Sequence, residues 1–98
     1  MLEHFSVNSQ DQVLVSKSKL FEVTLKILLA MRMPEADASL ASDALIEADM
    51  RGCETHGVSN MLRNYVMYLT EGSAKPNPLW KITRETESTA TVDCDEGL

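Results

Sequence analysis

The clearest pattern in the chain is a helical repeat of apolar residues that begins after Ser18. Apolar side chains recur there at spacings of three and four, with lysine and glutamate between them. Because residues three and four apart share one face of a helix, the pattern predicts an amphipathic helix ending near Met31. The apolar positions are Leu20, Phe21, Leu25, Leu28 and Leu29.

A second helix is predicted to begin at Pro34. Proline suits the first helical position, and Glu35 and Asp37 place negative charge in the first turn, where the helix dipole favours it. Gly52 is a plausible C-terminal stop. A face of small apolar residues would let the first helix approach closely and form a helical hairpin. That face consists of Ala41, Ala44, Leu45 and Ala48.

A third helix is predicted between Ser59, as its N-terminal cap, and Gly72. Leu62, Val66 and Leu69 repeat within it at helical spacing.

Three short runs have strand character. Residues 13–15 follow a polar arm of residues 1–12, and residues 79–83 and 89–92 flank a polar stretch after the rigid turn of residues 75–78. The last two predict a β-hairpin. The expected fold of this segment is therefore α-rich α+β, with a short strand, three helices and a C-terminal hairpin.

Composition and charge narrow the possible functions. A chain of 98 residues forms at most one small domain, and a net charge of -6 opposes binding to nucleic acid. The sequence shows no apolar run long enough to span a membrane and no basic leader. Cys53 and Cys94, the only cysteines, fit reduced thiols in the cytoplasm, although one disulfide is an alternative.

Candidate chemistry centres on His56, in a glycine-flanked turn between two helices. General acid catalysis needs a proton donor, and imidazole is the side chain that titrates closest to neutral pH. Thr55 or Glu54 could orient the ring, and Arg63, seven residues on, would share its face if helical geometry extends back far enough. A guanidinium there could bind a substrate carboxylate.

Other interpretations of these residues stay open. A histidine between two helices can be a packing or capping group, and Arg63 can be a solvated surface residue. Cys53 and His56 have the spacing of half a zinc site, but His4 and Cys94 complete no ligand pattern, so no metal is expected.

The motifs at residues 47–52 (Glu-Ala-Asp-Met-Arg-Gly) and 55–59 (Thr-His-Gly-Val-Ser) resemble the N-terminal signature of the malate/L-lactate dehydrogenase family. The resemblance extends over nearly the whole chain from Val13. It implies a non-Rossmann α/β fold, NAD or NADP bound mainly by a domain that follows this segment, and a homodimer. It also implies that His56 is the proton donor and Thr55 its helper, although other members use a histidine further downstream.

Substrate binding by family resemblance falls on Arg63 and on Asn60, which stands where the family often has an arginine. We therefore expect residues 13–98 to be the N-terminal segment of an NAD(P)-dependent 2-hydroxy-acid dehydrogenase, with the cofactor-binding domain absent and its cofactor-binding residues unknown. Such a fragment should be inactive alone. The alternative is a noncatalytic helical module for interaction or dimerisation.

Overall fold

The computed structural model describes residues 8–98, which form three helices followed by a two-stranded hairpin. The predicted arm of residues 1–12 is therefore described only in part, since residues 1–7 lie outside the described range. Residues 8–11 form a turn in which the Asp11 N–H donates to the Asn8 carbonyl oxygen at 2.8 Å.

The strand predicted at residues 13–15 is wrong. These residues lie in an irregular segment that pairs with no strand of the described chain, and Leu14 is 98% exposed. A strand needs a neighbour for its backbone hydrogen bonds and its side-chain packing, so the β propensity of this run is not enough.

Helix α1 spans Lys17–Ala30 and helix α2 spans Glu35–Met50, and the two pack together as the predicted helical hairpin. Pro34 immediately precedes α2 instead of occupying its first position. Glu35 and Asp37 lie in the first turn of α2, as predicted.

The predicted contact face of α2 is partly wrong, because Ala44 is exposed. The residues that α2 buries are Ala38, Ser42, Leu45 and Ile46. Burial of Ser42 is possible because its hydroxyl donates to the Ala38 carbonyl oxygen at 2.7 Å, which leaves no unpaired polar group in the core. Sequence periodicity treats serine as a surface residue, so the face it predicted was rotated.

The core joins both helices to the third. Leu28, Met33 and Ala38 form its centre, and Leu62 and Leu69 pack against it from the following helical segment.

Helix α3 spans Arg63–Glu71 and ends at Gly72, which adopts a left-handed φ of 77° as expected for a C-terminal stop. A π-helical segment at Val58–Leu62 precedes α3 without a break. The predicted Ser59 cap is wrong, because Ser59 lies inside this segment and Gly57 occupies the N-cap position.

The predicted hairpin is confirmed, with its first strand shifted. Strand β1 spans Lys81–Glu85 and pairs antiparallel with β2 at Ala90–Asp93, and a bulge interrupts the pairing between Ile82 and Arg84. Both strands are exposed along their whole length.

Asp95 holds the two ends of the hairpin region together. Its carboxylate accepts the Leu79 backbone N–H at 3.0 Å and the Lys75 ammonium at 2.7 Å. The bond from the Leu79 N–H, followed by that from Lys75, lowers the pKa of Asp95 below its ordinary value. Across the same junction, the Lys75 N–H donates to the Glu96 carbonyl oxygen at 2.8 Å.

Candidate active site

The turn that carries His56 starts from the C-terminal end of α2. Gly52 has a left-handed φ of 76°, its N–H donates to the Asp49 carbonyl oxygen at 3.0 Å, and the Cys53 N–H donates to that of Ala48 at 2.8 Å. This pair of bonds is the Schellman motif, which reverses the chain at a helix end. The predicted stop at Gly52 is confirmed.

His56 closes a short 3₁₀ turn at Glu54–His56, and its N–H donates to the Cys53 carbonyl oxygen at 2.9 Å. The Thr55 hydroxyl lies 2.9 Å from Nδ1 of His56, within hydrogen-bonding distance. Both side chains are exposed. Of the two residues considered for orienting the ring, the structure brings Thr55 to it.

Asn60 supports the same turn from the π-helical segment. Its side-chain Nδ2 donates to the Thr55 carbonyl oxygen at 2.7 Å. One of the amide's groups is therefore used to hold the backbone beside His56, which sequence reasoning did not anticipate.

Arg63 is the first residue of α3 and is exposed, and it makes no ion pair with any residue in the range 8–98. The condition on which His56 and Arg63 were expected to share one face, continuous helical geometry between them, is not met. Gly57 between them has an extended backbone with ψ of -173°, and the residues that follow are π-helical, so no regular α-helix connects the two side chains.

Asp49 is the residue that sequence reasoning missed. Its Oδ2 accepts the backbone N–H of Val58 at 2.9 Å, across nine residues. Gly57 is buried against the same carboxylate, so a Cβ built at Gly57 would overlap the side chain of Asp49. The available signal was an acidic residue in the last turn of α2, where the helix dipole disfavours negative charge.

Within the described range, no three histidine, cysteine or acidic side chains form a group that could hold a metal ion. Cys53 and Cys94 are both free and exposed, and His4 lies outside that range. No helix of residues 8–98 is both long and apolar enough to cross a membrane.

Known proteins with similar sequences share most of this chain. It is 37% identical over 89 residues to a malate dehydrogenase of Pyrococcus horikoshii, which covers 91% of the chain and 24% of that relative. It is 32% identical over 77 residues to an L-sulfolactate dehydrogenase of Methanocaldococcus jannaschii, covering 79% of the chain and 22% of the relative. The chain thus spans about a quarter of the length of these curated relatives.

Similarity to solved structures agrees with the similarity in sequence. The solved structure of the P. horikoshii malate dehydrogenase superposes with a TM-score of 0.85 at 35% identity, covering 94% of this chain and 26% of that one. The chain therefore shares its fold with part of a hydroxy-acid oxidoreductase. Its residues 15–98 match the malate/L-lactate dehydrogenase family, and the chain belongs to that family.

Proposed function

We propose that this chain carries the proton-transfer site of an NAD(P)-dependent dehydrogenase that interconverts a 2-hydroxy acid and a 2-oxo acid. The observation that carries the proposal is the 2.9 Å contact between the Thr55 hydroxyl and Nδ1 of His56. Family membership supplies the reaction class, and this contact supplies a mechanism for moving the proton.

Thr55 determines which ring nitrogen of His56 reacts. In the imidazolium form, Nδ1–H donates to the Thr55 oxygen and Nε2–H is the proton given to the developing alkoxide. After transfer, the neutral ring keeps its Nδ1–H bond to Thr55 and leaves the Nε2 lone pair free. The same nitrogen then accepts the hydroxyl proton when the reaction runs towards the 2-oxo acid.

We assign substrate binding to Arg63 and Asn60. The guanidinium of Arg63 is exposed and pairs with no carboxylate among residues 8–98, so it is available for a substrate carboxylate. Asn60 uses Nδ2 on the Thr55 carbonyl oxygen and retains Oδ1 as an acceptor for a substrate hydroxyl.

A surface depression among the described residues lies away from the His56 turn. Its volume is about 470 Å³, and it is lined by Ser16, Lys17, Ser18, Phe21 and Asp43 and by none of residues 53–63. Lys17 and Asp43 place opposite charges there, so the depression offers no net positive charge to the phosphates of a dinucleotide. We therefore propose that NAD or NADP binds elsewhere in a full-length, non-Rossmann enzyme.

A homodimer in the cytoplasm is proposed on two further observations. Large apolar side chains such as Leu40 and Trp80 are exposed, as expected of surfaces that pack on more protein, and both cysteines are free thiols. The exposed apolar surface equally supports the alternative of a noncatalytic interaction module.

The test is the activity of the full-length protein with NADH and NADPH towards the 2-oxo acids that correspond to malate, lactate and sulfolactate. His56→Ala should lower kcat by about 10²–10⁴-fold because the proton donor is lost. Thr55→Val should have a smaller effect in the same direction. Glu54→Gln is the matched control, since Glu54 is exposed in the same turn and its side chain makes no hydrogen bond within the described range.

Full activity of His56→Ala would remove His56 from the chemistry, whereas absence of turnover in the native full-length protein would favour the interaction module. The 98-residue chain alone should show no cofactor-dependent turnover, and any such turnover would contradict the proposal that the cofactor binds elsewhere.

A further inference from the structure

The helical segment that follows His56 begins with an unusual cap. Its N-cap residue, Gly57, has no side chain, and the first N–H groups of any helix lack partners within the helix. Asp49, in the last turn of α2, fills this gap by accepting the Val58 N–H at 2.9 Å. The carboxylate also lies at the N-terminal, positive end of the π-helical segment. This offsets its unfavourable position at the C-terminal end of α2.

Gly57 is glycine for lack of space and not for its backbone conformation. Its φ of -87° and ψ of -173° are open to every amino acid. The restriction is the side chain of Asp49, which lies where a Cβ would be. The carboxylate and the missing side chain are therefore two halves of one contact, and each accounts for the other.

The contact between Asp49 and Gly57 is one residue away from His56. Together with a contact on the upstream side, it restrains the turn that carries the imidazole. On the upstream side, the Cys53 N–H donates to the Ala48 carbonyl oxygen at 2.8 Å, which ties the turn to α2. On the downstream side, Asp49 ties the Val58 N–H to the same helix. His56 is thus held at both ends by the last turn of one helix.

We propose that Asp49 is a positioning residue for His56, which acts by holding the Gly57–Val58 backbone and makes no contact with substrate. This inference rests on the proposed role of His56 in proton transfer. The Asp49 carboxylate acts as a hydrogen-bond acceptor of fixed size, so its shape matters more than its charge.

The experiment is a double-mutant cycle on kcat in the full-length protein, with NADH or NADPH and its best 2-oxo acid. Gly57→Ala forces the new Cβ against Asp49 and displaces the turn, and should lower kcat about 100-fold, as a misplacement of about 1 Å can do. Asp49→Ala loses the cap but frees space, and should lower kcat about 10-fold. In the Asp49→Ala background, adding Gly57→Ala should cost no more than about 3-fold, because the clash is gone.

Asp49→Asn provides the matched control, because the amide has the size of the carboxylate and its oxygen still accepts the Val58 N–H. It should retain most of kcat and leave the pH profile in place, and Gly57→Ala should be as damaging in the Asp49→Asn background as in the native protein. If Asp49→Ala does not fold, Asp49→Ser replaces it as the small side chain.

Three outcomes overturn the proposal. The first is an equal effect of Gly57→Ala on kcat in the native and Asp49→Ala backgrounds. The second is an Asp49→Ala protein with reduced thermal stability and unchanged kcat, which would mark a purely structural cap. The third is a shifted pH profile in Asp49→Asn, which would assign the residue an electrostatic role. These failures are distinct from a failure of the proposed function, which would appear as an active His56→Ala.

Discussion

Helices α1 and α2 end in the same motif, but only one of them has a glycine at its left-handed position. At the end of α1 the Arg32 N–H donates to the Leu29 carbonyl oxygen at 2.9 Å and the Met33 N–H donates to that of Leu28 at 3.2 Å. The end of α2 repeats these bonds around Gly52. The φ angles are 67° at Arg32 and 76° at Gly52, so the arginine adopts a conformation that strains any residue with a Cβ.

We predict that Arg32→Gly stabilises the protein. The left-handed conformation costs a residue with a side chain about 1–2 kcal/mol. Against this, the greater freedom of glycine in the unfolded chain removes about 0.4–1 kcal/mol. The Arg32 side chain is exposed and makes no ion pair within residues 8–98, so its removal should cost little. The expected net gain in the free energy of unfolding is about 0.5–1 kcal/mol.

The measurement is urea denaturation followed by circular dichroism, with two further variants. Arg32→Ala keeps the strain and should leave stability nearly unchanged. Gly52→Ala introduces the strain and should lower stability by about 1 kcal/mol, since nothing lies within 4 Å of its added Cβ to contribute a clash. If Arg32→Gly destabilises while Gly52→Ala behaves as expected, the Arg32 side chain is making a stabilising interaction and the reasoning from strain is wrong.

Two further predictions concern the core and the hairpin junction. Leu28→Ala should lower the free energy of unfolding by about 2–5 kcal/mol because Leu28 is fully buried, whereas Leu29→Ala, at a position 39% exposed, should lower it by less than half as much; equal losses in thermal unfolding would refute the assignment of the core. Asp95→Asn should destabilise the hairpin junction at neutral pH and not at pH values well below 3.8, the ordinary pKa of the group. The lowered pKa of Asp95 means that its contribution is present above the unfolded pKa and is lost as the pH falls through the folded one. The measurement is the pH dependence of the NMR chemical shifts of Leu79 and Lys75 in the native and Asp95→Asn proteins. A shift difference between the two proteins that stays constant with pH would contradict this.

Local signals in the sequence were sufficient to predict most of the fold. Pro34, Gly52 and Gly72 mark helix boundaries through their own backbone preferences, so the helices were found close to their observed ends. The strand expected at residues 13–15 failed because pairing depends on a neighbour that the run itself does not encode. The burial of Ser42 was not predicted for a related reason, because its hydrogen bond to the Ala38 carbonyl oxygen forms only within the helix.

The candidate site, like the fold, could be predicted from the sequence only in part. Thr55 and His56 are adjacent in sequence, so their contact could be proposed from the chain alone, and the 2.9 Å separation of the hydroxyl and Nδ1 is consistent with that proposal. The cap of the following helix could not be predicted from the chain alone. Capping side chains are usually found at the start of the helix itself, and Ser59 was predicted as the cap for that reason. The acceptor is Asp49, which belongs to the preceding helix.

A cap borrowed from another helix links the site to the packing of α2. Asp49 shares that helix with Leu45 and Ile46, which are buried, so the position of its carboxylate depends on how α2 sits on the core. A shift of α2 along its axis would move both restraints on the His56 turn together, since the Ala48 carbonyl and the Asp49 carboxylate are neighbours. Core substitutions that let α2 shift should therefore lower kcat, because they displace His56 from the reacting atoms.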